Sequence, residues 1–173
     1  SSAASDVYKR QVKDKLEECG VEVMGHILCD DDAEMTTGAI NDWIAKGADM
    51  VVCTGGMSVD PDDRTPLAIR NASDEVITYG APVLPGAMFM LAYRKRPDRD
   101  GASGGVGAIR GGDIPILGLP GCVMYSKRTI FDLVLPRIAA GEHLSADDFS
   151  VLGEGGLCLN CKVCTYPNCG FGK

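Results

Sequence analysis

Asp60, Asp62, Asp63 and Arg64 stand between the glycine pair Gly55-Gly56 and the dipeptide Thr65-Pro66. Each part of that arrangement has a use. Carboxylates hold hard cations through oxygen. Glycines let the backbone turn and let a ligand approach it closely. Thr65-Pro66 reads as an N-cap followed by proline at the first helical position, and a helix N-terminus draws anions. The run Met50–Cys53 just before the glycines is short, apolar and rich in valine, which suits a strand covered on both faces. Ligands of parallel α/β sheets bind beyond the carboxyl ends of strands. Residues 49–70 therefore read as strand, acidic glycine-bearing loop and helix start. That is a place for a phosphate-bearing ligand with a metal held by the aspartates, or else an ordinary βα loop with solvated acids.

A second group of reactive side chains lies near the C-terminus. Cys158, Cys161, Cys164 and Cys169 pack four thiols into a short segment with little else to fold around. Bacterial ferredoxins use a related run, with three residues before the last cysteine and proline after it. Here the last gap is four residues and Pro167 precedes the final cysteine. Thiolates at this density suit an iron–sulfur cluster or zinc, with free or disulfide-paired cysteines as the alternative. Cys19, Cys29, Cys53 and Cys122 are scattered through apolar elements and read as small buried hydrophobes.

The elements that must position these groups follow a βα rhythm. Residues 1–11 show no periodicity. Val12–Cys19 reads as a helix end with Gly20 as its stop, and Val21–Cys29 as a strand carrying His26 as a structural histidine. Asp31 reads as an N-cap with Glu34 at capping-box spacing. The stripe Met35, Ala39, Ile40, Trp43 and Ile44 follows it as a core-facing helix ended by Gly47. Asp30 thus ends one strand and Thr54-Gly55 the next, so Asp30 and Asp63 can converge on one ligand, unless Asp30 merely favours the next helix N-terminus. Glu75–Tyr79 is a short strand. Met88–Arg94 and Ile114–Leu117 form a hairpin whose connection, Lys95–Asp113, is long enough to be either a disordered tip or a phosphate clamp using Arg96, Arg99 or Arg110. A single helix is expected over Cys122–Ile138, kinked or ended by Pro136, and His143 is expected in solvent.

The stretch Thr54-Gly55-Gly56-Met57-Ser58-Val59-Asp60-Pro61-Asp62-Asp63-Arg64-Thr65-Pro66 resembles the Thr-Gly-Gly-Thr-Gly-x-x-Pro-x-Asp-x-Thr-Pro signature of the molybdopterin-binding domain family of molybdenum cofactor biosynthesis. That family includes molybdopterin adenylyltransferases and the binding domain of molybdopterin molybdotransferases. Ile27–Asp31 resembles the family's strand ending in a ligand-facing aspartate. Leu84-Pro85-Gly86 resembles its Pro-Gly turn, and Gly118-Leu119-Pro120-Gly121 its Leu-Pro-Gly loop. Met57-Ser58 departs from the Thr-Gly of adenylyltransferases and lies closer to the molybdotransferases. The resemblance implies that Thr54, Gly55, Gly56, Ser58 and Thr65 wrap the phosphate and pterin. It implies that Asp30 and Asp63 engage Mg2+, molybdate or the dithiolene end, and that Gly86, Pro120 and Gly121 shape the pocket. The family's opening strand and part of its first helix are expected to be missing here.

The reading is an α/β fold, a three-layer, mostly parallel sheet between helices with a β-hairpin extension. It divides into a non-matching 1–11, a molybdopterin-binding domain over 12–150 and a Cys-rich metal-binding tail over 151–173. A net charge of −7 argues against a nucleic-acid partner. No apolar run is long enough to span a membrane and no leader is visible, so a cytoplasmic protein is expected. By resemblance it is also expected to form homo-oligomers. Binding of molybdopterin, with molybdenum insertion as the reaction if it catalyses one, is the expected function. A non-catalytic cofactor carrier or sensor, and an iron–sulfur electron carrier built on the tail, are the alternatives.

Overall fold

A computed structural model describes residues 2–96 and 112–173, with the backbone alone for 2–9. The sheet-forming segments are β1 (Val51–Thr54), β2 (Glu75–Tyr79), β3 (Met90–Arg94) and β4 (Ile114–Leu119), and the helices are α1 (Ser2–Glu18), α2 (Ala33–Ala45), α3 (Thr65–Ala72), α4 (Ile130–Ala139) and α5 (Ala146–Val151). The strands lie in the order β1-β4-β3-β2. β1 pairs with β4 in parallel, and β3 joins β4 and β2 antiparallel, so the expected hairpin forms the middle of the sheet.

Alternation along the strands makes this a three-layer α/β fold. Met90, Ala92 and Ile116 turn to one face, where they meet Ile40 of α2 and Ile69 and Ala72 of α3. Leu91, Tyr93, Leu117 and Leu119 turn to the other, against Val12 and Leu16 of α1, Phe131, Val134, Leu135 and Ile138 of α4 and Phe149 of α5. Successive side chains of a strand point to opposite faces, so a run such as Met90–Tyr93 that is buried throughout needs cover on both sides. Among the described residues no helix is long and apolar enough to cross a membrane.

Several expectations change. Val21–Cys29 belongs to no strand. Val21 and Val23 pack inward, while Met24, Ile27 and Leu28 are exposed. Gly25 lies so close to the Trp43 ring that a Cβ there would come within 2.6 Å of it. An apolar run becomes a strand only when another backbone pairs with it, and β1 takes its ladder from β4. His26 is therefore exposed rather than enclosed in a strand, and Trp43 is half-buried with the Lys46 ammonium 4.9 Å from its ring. At the start of the chain, α1 is helical from Ser2, through the stretch read as aperiodic.

The helix expected over Cys122–Ile138 is two pieces, a 3-10 turn over Gly121–Met124 and α4. Thr129 starts α4 anew: its hydroxyl accepts from Phe131 N–H, and Asp132 accepts from the Thr129 N–H in return. Pro136 lies inside α4 without ending it. Proline cannot donate to the carbonyl four residues back, which here belongs to Asp132, and the Tyr166 hydroxyl donates to that carbonyl instead at 2.9 Å. The tail is thus docked on the domain. Phe171 is buried in the main core, and Cys158 N–H donates to the Leu84 carbonyl beside a Leu84–Leu157 bridge.

His143 is exposed, as expected, and one face of its ring stacks on Tyr93 with centroids 3.9 Å apart. From the last turn of α4, Arg137 bridges Glu142 at 2.7 Å and Asp148 at 2.6 Å. The Ser145 N–H and then Arg137 hold the Asp148 carboxyl down to about 2, from a usual 3.8. A depressed carboxylate stabilises the fold above its unfolded pKa and loses that contribution as pH falls through the folded one. Asp148 is partly exposed, so solvent screening holds the contribution to about 1 kcal/mol or less. Asp148→Asn is expected to lower stability by that amount at pH 7 and to flatten the decline between pH 4 and 2, read from urea melts across pH.

Candidate functional site

The register places Thr54 of β1 directly beside Leu119 of β4. The two strands run in parallel, so the Thr54-Gly55-Gly56 turn and the Pro120-Gly121 turn leave the sheet at the same edge. Gly55 (φ +86°) and Gly56 (φ +58°) both take the left-handed conformation that reverses the chain. The next residue, Met57, is 3 % exposed and packs with Ile69, Met90 and Ile116. It anchors the loop to the core: a Cβ on Gly118 of β4 would come within 2.6 Å of the Met57 methyl. The methionine that departs from the family signature is therefore a packing residue.

Beyond Met57 the loop is exposed and held by its own polar groups. The Asp63 carboxylate accepts from the Ser58 N–H. The Ser58 hydroxyl accepts from Asp60 N–H at 3.2 Å, Asp60 accepts from Asp62 N–H at 3.0 Å, and the Tyr79 hydroxyl donates to the Ser58 carbonyl at 3.4 Å. Tyr79, the last residue of β2, carried no signal in the sequence beyond its place at a strand end. α3 begins at Thr65, with Arg64 rather than Thr65 in the capping position and no side-chain cap.

The cap of α2 lies one residue later than expected. Asp32, not Asp31, caps α2, its side chain accepting from Met35 N–H at 2.7 Å. Asp31 instead faces the glycine turn. A Cβ on Gly56 would stand 2.7 Å from the Thr65 hydroxyl oxygen and 3.5 Å from the Asp31 carboxylate. Segments 30–31, 55–56 and 65 therefore meet at Gly56. Asp30 is exposed, and its carbonyl accepts from Asp32 N–H at 2.7 Å.

Of the other expected residues, Pro120 is buried at the head of the 3-10 turn and Gly121 faces open space. Gly86 lies elsewhere, pressed against Ile130 at the start of α4. Arg96 pairs with Asp49 at 2.6 Å rather than serving as a clamp, and Arg99 and Arg110 lie outside the described residues. Cavities of about 560 Å³, between Ala81–Leu84 and Gly153–Leu157, and about 510 Å³, between α1, Lys127, Arg128 and Cys164, are lined by other residues than the glycine loop.

The tail cysteines are not gathered. Among the described residues no group of three or more His, Cys, Asp or Glu stands where it could hold a metal. Cys158 and Cys169 pack on the main core while Cys161 is exposed. Cys164 is held apart at Arg128: the Tyr166 N–H and then the Arg128 guanidinium pull its thiol below the usual range. The tail as folded does not fit a four-thiolate centre. By contrast, burial and then the neighbouring Cys29 push the Cys53 thiol up to about 12, as suits a small core residue.

A family model, that of the probable molybdopterin binding domain, matches residues 1–140. No curated protein matches the chain.

Proposed function

We propose that this chain, which belongs to the probable molybdopterin binding domain family, uses the turn at Gly55-Gly56 to hold molybdopterin while molybdenum is inserted into its dithiolene. Membership makes it a molybdopterin-binding domain of molybdenum cofactor biosynthesis, and the insertion step is the finer reading. The observation that carries it is that the Gly55-Gly56 and Pro120-Gly121 turns leave the carboxyl ends of the parallel pair β1 and β4, with the Asp31 carboxylate at the first of them.

In this reading backbone N–H groups of the Thr54–Ser58 turn and of Gly121 receive the terminal phosphate. Left-handed glycines expose such groups without a side chain in the way. Thr54, Ser58 and Thr65 add hydroxyls. Asp30 and Asp63 serve the incoming molybdate or an accompanying Mg2+, which prefers oxygen ligands. Gly86 and Pro120 act through packing, Gly86 against α4 and Pro120 beneath the second turn. Molybdopterin and molybdate are both substrates, and the residues bind and orient them. The chain is proposed to act as a cytoplasmic homo-oligomer.

The test is purification under anaerobic conditions, followed by oxidation and pterin fluorescence. About one pterin per chain is expected after incubation with molybdopterin. Asp63→Ala frees the Ser58 N–H and loosens the loop, and roughly tenfold weaker binding is expected, about the worth of one hydrogen bond to a charged group. Absence of bound pterin after incubation would overturn the reading. Pterin bound without molybdenum incorporation from molybdate would leave a carrier or sensor in place of a transferase.

A further inference from the structure

We propose that Tyr79 is a positioning residue of the molybdopterin site: its hydroxyl, donating to the Ser58 carbonyl, fixes the glycine loop across the end of the sheet and so presents the Ser58 hydroxyl to the ligand. The inference rests on the reading of this loop as the molybdopterin site, and it adds to that site a residue from the opposite edge of the sheet.

The strand register shows how far the loop travels. Tyr79 of β2 pairs with Met90 of β3, Met90 with Gly118 of β4, and Gly118 with Cys53 of β1. These residues form one row across the sheet, with Cys53 at one end and Tyr79 at the other. The ends of the row stand about 14 Å apart, the sum of its inter-strand spacings. β1 and β2 run in the same direction, so Thr54 and Tyr79 close their strands at the same edge. Ser58 follows closely on Cys53 in the chain, yet its carbonyl accepts from the Tyr79 hydroxyl at 3.4 Å. The loop therefore runs over β4 and β3 towards β2.

Met57 takes the same course independently. It packs with Met90 and lies against Gly118, the two inner members of the row. Residues opposed on neighbouring strands share a face, so the Met57 anchor and the Tyr79 ring lie on one side of the sheet.

Ser58 is then held through all its acceptors and its N–H. The N–H donates to Asp63, the carbonyl accepts from Tyr79, and the hydroxyl oxygen accepts from the Asp60 N–H. A hydroxyl has one hydrogen to give, and the Asp60 contact leaves it for a ligand oxygen. Asp60 and Asp63 belong to the loop and move with it. Tyr79 is the tie that comes from outside. Without it the loop keeps its internal bonds but must be ordered by the ligand, which weakens binding.

The experiment measures molybdopterin affinity of the full chain, by pterin fluorescence after anaerobic equilibrium dialysis, in the wild type, Tyr79→Phe, Ser58→Ala and the double variant. Tyr79→Phe keeps the ring and is expected to bind about 3- to 10-fold more weakly, the range of one hydrogen bond. In the Ser58→Ala background the same substitution is expected to cost about twofold or less, because the two residues act as one unit. Wild-type affinity in Tyr79→Phe, or an equal loss in both backgrounds, overturns the role. Amide spectra of the ligand-free protein test the tie separately. The Ser58 carbonyl and the Val59 N–H belong to one peptide, so Tyr79→Phe is expected to shift the Val59 amide resonance while the urea midpoint stays at the wild-type value. An unmoved resonance overturns the tie, and the role with it. A wild type that shows the Val59 shift on substitution but binds no molybdopterin overturns the underlying reading of the site instead.

Discussion

Gly86→Val is expected to destabilise the protein by on the order of 3–5 kcal/mol, enough to leave much of it unfolded, since domains of this size hold only about 5–15 kcal/mol in total. Two independent costs meet at this position. The backbone sits at φ +125°, a conformation that L side chains rarely adopt and β-branched ones least of all. Holding a residue there costs about 1–3 kcal/mol. In addition, a Cβ would overlap the Ile130 side chain and stand 3.1 Å from the Ile130 nitrogen. That nitrogen donates to the Pro85 carbonyl at 3.1 Å, so the helix start cannot retreat without losing its tie to the turn. Overpacking of this kind adds about 1–3 kcal/mol. Gly38→Ala is the control. It lies inside α2 and its Cβ would meet nothing within 4 Å, so it is expected to stabilise by up to about 1 kcal/mol. Urea denaturation of both variants checks the pair. A Gly86→Val protein as stable as the wild type would mean that the turn and α4 are not in contact.

What could be read from the sequence was carried by local chemistry. Met50–Cys53, the glycine pair and Thr65-Pro66 announce strand, turn and helix within a few residues of one another. The structure follows them to within one residue, with Arg64 rather than Thr65 at the cap. Family membership was equally legible, because its signature lies in these backbone-forcing glycines and prolines. What was not legible depended on partners distant in the chain. Val21–Cys29 has strand composition but no neighbour to pair with. The tail thiols have cluster spacing, yet Tyr166, Phe171 and Arg128 draw the segment onto α4 and the core, a tertiary effect that spacing cannot show. The shift of the cap from Asp31 to Asp32 turns on a single residue of helix phase, below the resolution of a capping pattern. The break before α4 did leave a signal. Thr129-x-x-Asp132 is a reciprocal cap with aspartate in place of glutamate, hidden inside a run that otherwise reads as continuous helix.

That same Asp132 is where the second large effect is expected. Its side chain is 4 % exposed and bonds Lys15 of α1 at 2.7 Å and Arg128 at 2.8 Å. It also accepts from the Thr129 N–H, and its carbonyl takes the Tyr166 hydroxyl. Arg128 in turn lies 4.7 Å from the Tyr166 ring. One residue thus ties α1, the start of α4 and the tail together. Asp132→Ala removes the anion and leaves Lys15, itself only 11 % exposed, without its counter-charge. Breaking one side of a buried ion pair costs about 3–5 kcal/mol, most of it the desolvated charge left behind. The cost therefore does not belong to the aspartate alone. Asp132→Asn keeps an acceptor for Thr129 and is expected to lose less. The double variant Asp132→Ala, Lys15→Met removes the stranded ammonium and is expected to recover part of the loss, so the two substitutions do not add. Urea melts of the wild type, Asp132→Ala, Lys15→Met and the double variant, with protease cleavage of the tail followed in parallel, measure the coupling. Additive losses would show that Lys15 and Asp132 do not depend on each other, and an unchanged cleavage rate in Asp132→Ala would show that the tail is held without the Asp132 side chain, by Phe171 and the bond from Tyr166 to the backbone carbonyl.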